Sequence, residues 1–335
     1  MIDPTEAPVI AVSLGDPLGI GPEVVAAALV EAQVRDLAAW VIVGDERVVR
    51  HAAARVGLPI ERTFTGRIAS RPTSGVSLLH VAGAPDPLPA AHGPTAACGQ
   101  ASLDYIRVAT ELCLDGVADG MVTGPVSKEA VTLAGRSFTG HTEYLAELCG
   151  ADESRMLLAN DKMRVVHVTT HCSLVEAANV GAKRVVDTIV LGHEAMRRMG
   201  WERPRIAVCG MNPHAGENGL FGDQESRVIQ PAVEAARARG IDSVGPQPAD
   251  TLFLQAYRGR YDLVVAMYHD QGHVPMKLMD FENTVNISLG LPIVRTSVDH
   301  GTAYDIAGQG IADPTDMKAA MRFALRLIDV PAQAT

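Results

Sequence analysis

The sequence predicts an α/β fold, and three observations indicate it. Short apolar runs rich in β-branched residues recur along the whole chain, and stretches with helical spacing of apolar residues separate them. The runs are almost continuously apolar, which is typical of parallel strands covered by helices on both faces. We interpret six runs as strands: Val9–Leu14, Trp40–Asp45, Gly120–Gly124, Arg164–Thr169, Arg205–Gly210 and Tyr261–Met267.

The first strand shows how each repeating unit is built. Val9–Leu14 ends at Gly15-Asp16-Pro17, and the apolar spacing from Pro22 to Val30 predicts a helix, since proline is tolerated in a first turn. A strand, a glycine-rich turn and a helix then recur along the chain. The stretch from Arg67 to Pro94 is rich in Pro, Gly, Ser and Ala, which predicts irregular or hairpin structure.

Length and composition exclude several classes of protein. The chain has 335 residues, which suits one large α/β unit or two domains. Its 29 Lys and Arg against 39 Asp and Glu give a net charge of -10, which argues against non-specific nucleic-acid binding. No apolar run approaches a membrane span, and the N-terminus lacks a signal-peptide pattern. We therefore expect a cytoplasmic protein without a membrane or nucleic-acid partner. The five cysteines contain no C-x-x-C pair, which favours reduced thiols.

Three of the predicted strands deliver a histidine to the edge where ligands collect in α/β sheets. His171, His214 and His269 follow the last three of the six runs. Imidazoles from three elements, with an open fourth position, make a catalytic site for zinc or a similar divalent ion. The alternative is three unrelated histidines that cap turns at strand ends.

A second set of polar residues suits an acidic substrate. Gly140-His141-Thr142-Glu143 precedes a predicted helix, whose free amides and polar side chains either hold an anion or make an ordinary cap. Lys277, Asn286 and Arg295 are isolated polar residues in apolar surroundings. Arginine binds phosphate or carboxylate with a planar fork, and lysine supplies a point charge or a base. For the two charged side chains, a surface salt bridge is the ordinary alternative.

Standard nucleotide-binding motifs are absent from the sequence. It contains neither a G-x-G-x-x-G fingerprint nor a G-x-x-x-x-G-K-[ST] phosphate loop. The glycine-rich segment Gly15–Glu23 has a different spacing. A nucleotide, if bound, is therefore held in another way.

Seven motifs, in order along the chain, carry a family resemblance. They are Gly15–Glu23, Thr123–Lys128, Thr139–Leu145, Asn212–Glu217, Ala249–Thr251, Tyr268–Gly272 and Arg295–Ala303. Together they resemble the 4-hydroxythreonine-4-phosphate dehydrogenase family, over about Val9 to Ile328. The segment His300–Pro314 is similar to the nucleotide-binding loop of isocitrate and isopropylmalate dehydrogenases.

This resemblance implies an α/β/α sandwich of the isocitrate/isopropylmalate dehydrogenase-like type. It implies two lobes with a cleft between them, covering roughly 1–130 plus 300–335 and roughly 131–299. It also implies an oxidoreductase that is a homodimer with active sites at the subunit interface. The cofactors implied are NAD or NADP and one divalent metal ion, Zn, Mg, Co or Mn, per active site.

The resemblance also implies roles for individual residues. The metal ligands would be His171, His214 and His269, some of them from the neighbouring subunit. The substrate would contact His141, Thr142, Lys277, Asn286 and Arg295. The nucleotide would contact His300, Gly301 and Asp305, and the candidates for proton transfer or ligand orientation are Lys277, Asp250 and Asp270.

The implied reaction is oxidation and decarboxylation of a phosphorylated hydroxy acid. One candidate substrate is 4-hydroxy-L-threonine 4-phosphate, giving 3-amino-2-oxopropyl phosphate and CO2, as in pyridoxine biosynthesis. The segment Leu278–Thr284 carries acids where a glycine-rich stretch is expected in that branch. It is closer to the paralogous branch acting on 4-phospho-D-threonate or 4-phospho-D-erythronate.

Three alternatives remain open from the sequence. One is a dihydrodiol dehydrogenase of an aromatic dicarboxylate, although Gly140–Glu143 fits it less well. Another is a three-histidine metal hydrolase or aldolase without a nucleotide, which has no use for the segment His300–Pro314. The third is a non-catalytic metal-binding protein, which does not need Lys277 and Arg295 beside the metal.

Overall fold

The structure is a computed structural model that describes residues 7–88 and 92–328. Twelve strands lie among these residues: β1 (Val9–Ser13), β2 (Ala39–Gly44), β3 (Arg62–Thr65), β4 (Val76–His80), β5 (Gly120–Thr123), β6 (Arg155–Ala159), β7 (Arg164–His167), β8 (Ile206–Cys209), β9 (Ser243–Gln247), β10 (Leu263–Ala266), β11 (Val285–Leu289) and β12 (Val294–Ser297).

Twelve α-helices accompany the strands in the described residues. They are α1 (Gly21–Val30), α2 (Ala32–Arg35), α3 (Glu46–Val56), α4 (Ala96–Leu114), α5 (Lys128–Leu133), α6 (His141–Cys149), α7 (Leu174–Ala178), α8 (Ala182–Arg198), α9 (Gln230–Ala238), α10 (Ala249–Tyr257), α11 (His269–Met279) and α12 (Thr315–Ile328). A short turn at Pro213–Gly219 and a wide helical turn at Glu225–Ile229 precede α9.

The chain divides into two compact units. The first, here called the terminal unit, contains the described residues up to Ser154 together with those from Leu291 onward. Its strands are all parallel, in the order β3-β4-β2-β1-β5-β12. Every residue of β1 and β2 is buried, because helices cover both faces of this sheet. Helices α1, α2, α3 and α12 pack with one another, and α4 packs with α5 and α6.

The second unit, here called the central unit, spans Arg155–Gly290. Its strand order is β11-β6-β7-β10-β8-β9. The strands β7, β10, β8 and β9 are parallel, whereas β6 is antiparallel to both of its neighbours. Buried apolar side chains from β6, β7, β8, β10 and α11 form its core.

The structure confirms the α/β class and all six predicted strands. Two expectations about the sheet were wrong. The segment predicted as irregular or hairpin contains β4, which is a parallel strand between β2 and β3. The run at β7 is not purely parallel, since its partner β6 is joined to it by a tight turn and runs antiparallel.

Two other expectations concern the cysteines and membrane-spanning helices. All five cysteines lie among them as free thiols. None of the helices in these ranges is both long and apolar enough to cross a bilayer.

Candidate functional site

Arg295 is a fully buried cation in the terminal unit. It lies on β12 and is only 1% exposed. Its Nε and Nη2 donate to Oγ1 of Thr123 on the neighbouring strand β5, at 3.2 and 2.6 Å. Burial lowers the pKa of Arg295 to about 9, and the charge of Glu143 acts in the opposite direction. The guanidinium therefore stays charged at neutral pH, and its burial excludes the surface salt bridge considered from the sequence.

His141 lies close enough to Arg295 to respond to its charge. It is the first residue of α6, and its ring makes an edge contact with Phe138, with centroids 5.6 Å apart. Burial, followed by the charge of Arg295, holds the pKa of His141 well below its ordinary value. Its Nε2 is buried and has no hydrogen-bond partner among the described residues. A neutral imidazole with a vacant nitrogen beside a buried cation suits a polar, anionic ligand.

Thr142 and Glu143 follow in the first turn of α6. Thr142 is 7% exposed, and Glu143 provides the acidic charge of that turn. The segment Gly140–Glu143 thus begins a helix, as predicted, and brings His141 and Thr142 together with Arg295 in the terminal unit. Thr123, which holds the guanidinium, was not among the predicted site residues. Its position at the carboxyl end of β5 was the available signal.

In the central unit, Asn286 and Lys277 have different environments. Oδ1 of Asn286 on β11 is buried and has no hydrogen-bond partner among the described residues. The Nζ of Lys277 lies 5.4 Å from the ring centroid of Phe281, within the range of a cation–π contact. Lys277 is half-buried in the last turn of α11. A buried, vacant amide oxygen is suited to receive a hydroxyl or ammonium donor of a ligand.

Two of the three candidate metal ligands approach each other within one chain. The rings of His171 and His269 have centroids 6.0 Å apart. Oδ1 of Asp270 lies 2.7 Å from Nδ1 of His269, so this carboxylate can fix the tautomer that leaves Nε2 as the lone-pair nitrogen. Asp270 is itself largely exposed. Asp250, the other acid considered for proton transfer, is exposed in the first turn of α10.

His214 lies on an unusual turn of the central unit. Five consecutive residues, 214–218, have positive φ angles, between 42 and 81°. Four of them are not glycine, and left-handed backbone costs such residues roughly 1–2 kcal/mol each. Nδ1 of His214 lies 3.1 Å from Oε2 of Glu217, a second imidazole–carboxylate pair. Backbone strain of this kind is typical of functional loops.

The three histidines do not form a complete metal site within one chain. No group of three His, Cys, Asp or Glu side chains within 7–88 and 92–328 is arranged to hold a metal ion. Their chemistry nevertheless fits a divalent metal, because two of the imidazoles carry a carboxylate on Nδ1, as metal-ligating histidines do. His171 and His269 would supply one part of such a site, and His214 would have to come from elsewhere.

His273, which was not among the predicted site residues, stacks on His269. Their ring centroids are 3.6 Å apart with an interplanar angle of 11°. The buried ring of His167 packs against His273, with ring centroids 4.6 Å apart. Burial lowers the pKa of His167 to about 3. The i, i+4 spacing of His269 and His273 was the signal that both lie on one face of α11.

Gly272 allows this histidine stack to form. A Cβ at Gly272 would lie 2.2 Å from Nε2 of His167 and 2.8 Å from a methyl group of Val165. We expect Gly272→Ala to lower the free energy of unfolding by about 2 kcal/mol, because the packed rings have no room to move. Gly93→Ala is the control, since its Cβ would meet nothing within 4 Å. Urea unfolding measures both, and equal stability of the two variants would contradict this account of the packing.

The predicted nucleotide-binding residues lie in the segment between β12 and α12 of the terminal unit. Gly301 and Asp305 are exposed. Nδ1 of His300 lies 2.9 Å from the carbonyl oxygen of Gly301, and its Nε2 is buried without a hydrogen-bond partner among the described residues. Exposed backbone and a vacant imidazole nitrogen fit the polar groups of a nucleotide.

Comparison with known proteins begins with a family model. The model described as "Pyridoxal phosphate biosynthetic protein PdxA" matches residues 36–324. Two curated relatives match nearly the whole chain. A 4-hydroxythreonine-4-phosphate dehydrogenase from Beijerinckia indica is 49% identical, covering 95% of this chain and 94% of that protein. A D-threonate 4-phosphate dehydrogenase from Cupriavidus necator is 48% identical, covering 94% and 96%.

Solved structures give the same result for the fold. The crystal structure of 4-hydroxythreonine-4-phosphate dehydrogenase from Klebsiella pneumoniae is 41% identical, with a TM-score of 0.83, covering 96% of this chain and all of that one. A β-decarboxylating dehydrogenase from Thermococcus kodakarensis is 15% identical, with a TM-score of 0.50, covering 94% and 82%. The second likeness shows the fold alone, and it confirms the isocitrate/isopropylmalate dehydrogenase-like class.

Proposed function

Because the chain belongs to the family of pyridoxal phosphate biosynthetic protein PdxA, we propose that it oxidises and decarboxylates a phosphorylated hydroxy acid with NAD or NADP. The substrate candidates are 4-hydroxy-L-threonine 4-phosphate, 4-phospho-D-threonate and 4-phospho-D-erythronate. The observation that carries the proposal is the buried, charged Arg295 beside the neutral His141. Such a pair selects an anionic ligand that also offers a hydroxyl group.

The terminal unit supplies the anion-binding part of the mechanism. Arg295 is already fixed by its hydrogen bond to Thr123, so it loses little further side-chain entropy when it binds a phosphate or carboxylate. His141 stays neutral, and its Nε2 can either accept a proton in a hydrogen bond or donate one, depending on the tautomer. Burial of both groups strengthens these contacts, because water does not compete for them.

The central unit supplies candidates for the groups that handle protons. Lys277 is our candidate for the base that accepts the proton of the substrate hydroxyl. It is also our candidate for the acid that donates the proton that replaces CO2 on carbon. Asn286 would fix the substrate through its vacant Oδ1. When bound, a divalent metal held by His171, His269 and His214 would stabilise negative charge on the substrate oxygen, and the nicotinamide would accept the hydride.

We propose that the metal site is completed by a second copy of the chain. His214 is not grouped with His171 and His269 within one chain. Each of these ligands is followed in sequence by exposed apolar side chains, which a partner would cover. They are Leu174, Val175, Leu220, Phe221, Val274, Leu278 and Phe281. Leu278 is 85% exposed, so a homodimer that buries these positions explains both observations.

The test follows nicotinamide reduction with each of the three phosphorylated acids. Each reaction is run with NAD and with NADP, after chelation, and again after Zn, Mg, Co or Mn is added back. We expect reduction with one of the acids, loss of it after chelation and recovery with metal. No reduction in any combination would refute the proposed function.

A further inference from the structure

The segment between β12 and α12, residues 298–314, has no helix or strand of its own. Irregular segments of this length are uncommon in compact domains and are usually functional. They must be ordered by contacts to other parts of the chain, since they make few backbone bonds internally. Several of these contacts come from the glycine-rich segment Gly15–Glu23, and Arg55 and Ser127 supply others.

The first half of the irregular segment is attached at two points. The amide of Ile20 donates to the carbonyl oxygen of Thr302 at 2.9 Å. The hydroxyl of Tyr304 donates to Oδ2 of the buried Asp16 at 2.7 Å. Tyr304 also makes side-chain hydrogen bonds with Ser127 and Thr302. A backbone bond and a phenol–carboxylate bond therefore fix this half.

The second half is attached through Glu23 in the first turn of α1. Its carboxylate accepts from the amide of Gly308 and, at 3.0 Å, from the amide of Gly310. Nη1 of Arg55 donates to the carbonyl oxygen of Gly308 at 2.6 Å. Hydrogen bonds to ionised groups are roughly twice as strong as neutral ones, and this half of the attachment has three of them, from Glu23 and Arg55.

Two glycines of Gly15–Glu23 lie too close to neighbouring backbone to carry a side chain. A Cβ at Gly19 would lie 2.9 Å from both Cβ and the carbonyl oxygen of Thr302. A Cβ at Gly15 would lie 2.4 Å from the carbonyl oxygen of Pro125, and Gly15 also has a φ of 77°. These glycines permit the close backbone approach that brings Asp16 and Glu23 to their partners.

We propose that Gly15–Glu23 is a clamp that holds residues 302–310 in the conformation that binds the nucleotide. In this role Tyr304 and Glu23 are positioning residues. This inference rests on the proposed function for the role of residues 300–314 in nucleotide binding. A segment ordered before binding costs less conformational entropy when the nucleotide arrives, which raises affinity.

Two variants test the clamp, with one control. Tyr304→Phe removes the bond to Asp16 and keeps the ring, and Glu23→Ala removes the acceptor for two amides. Glu46→Ala is the matched control, because the side chain of Glu46 on α3 pairs with Arg50 instead. Amide hydrogen exchange of the protein without nucleotide is the first measurement. We expect exchange in residues 302–310 to be about tenfold faster in both variants and unchanged in the control.

Steady-state kinetics with NAD and NADP is the second measurement. We expect the KM for the nucleotide to rise about tenfold in both variants, while kcat and the KM for the phosphorylated acid change less than twofold. A general loss of structure would lower kcat and alter both KM values together. This separation distinguishes a positioning role from a merely structural one.

Each outcome decides one of the two ideas. Exchange at 302–310 that stays at the wild-type rate in both variants overturns the clamp, whatever the enzyme activity. Faster exchange with an unchanged nucleotide KM overturns the positioning role. Wild-type protein that reduces neither nucleotide refutes the proposed function and, with it, the positioning role, while the exchange rates still decide whether the clamp exists.

Discussion

Arg295→Met is expected to lower kcat/KM for a phosphorylated substrate roughly 100-fold, about 3 kcal/mol of lost interaction. Methionine fills a similar volume but has no charge for the anion and no donor for Thr123. The fold should survive, because replacing a buried ion by an apolar residue of similar size is often tolerated. The measurements are kcat/KM for the acid and the free energy of unfolding.

The chain offers a matched control for this substitution. Arg155 on β6 is also fully buried and also donates to a threonine, Oγ1 of Thr188, at 2.8 Å. It lies outside the predicted site. We therefore expect Arg155→Met to change stability comparably and to leave kcat/KM within a few-fold of wild type. Full activity of Arg295→Met would show that the anion is bound elsewhere.

His214→Ala and His269→Ala are each expected to abolish turnover in the homodimer. A heterodimer with one substitution in each subunit is expected to recover about half of the wild-type turnover. In the proposed dimer, His171 and His269 of one subunit share a site with His214 of the partner subunit. A heterodimer of the two variants then has one site with all three histidines and one with a single histidine. Two different affinity tags allow the mixed dimer to be purified, and its turnover and bound metal are then measured.

The control pair is His171→Ala with His269→Ala. Their rings are 6.0 Å apart within one chain, so each site of that heterodimer lacks one ligand. No activity should return, and neither should metal binding of wild-type strength. Recovery in this pair, or no recovery in the first pair, would contradict the proposed division of ligands between subunits.

The parallel strands were predictable because burial on both faces leaves continuous apolar runs. This holds for β1, β2 and β10, whose residues are all buried. It fails for β3, where all four residues are partly or fully exposed and apolar patterning is weak. The strand β6 was also missed, since its direction depends on pairing with β7 and β11 rather than on its own sequence.

For the site, isolated charge in apolar surroundings was the informative signal. It indicated Arg295, which proved to be buried. The sequence did not predict the strained turn at 214–218. Glycine usually marks left-handed backbone, and four of these five residues are not glycine. Nor did the sequence indicate that Asp16 and Tyr304, 288 positions apart, are hydrogen-bonded.

The terminal unit is built from two segments that the central unit separates in the sequence, and this has a consequence for biosynthesis. The strand β5 pairs with β12, and α12 packs against both of these strands. During translation, β5 emerges before the whole central unit, whereas its partner strand β12 and the covering helix α12 emerge after that unit. The growing chain therefore has a first sheet with an unpaired edge strand, β5, until β12 emerges, and these two strands lack their covering helix until α12 follows. Unpaired strand edges of this kind make incomplete chains prone to aggregation, so the interval between β5 and β12 is the vulnerable stage of synthesis.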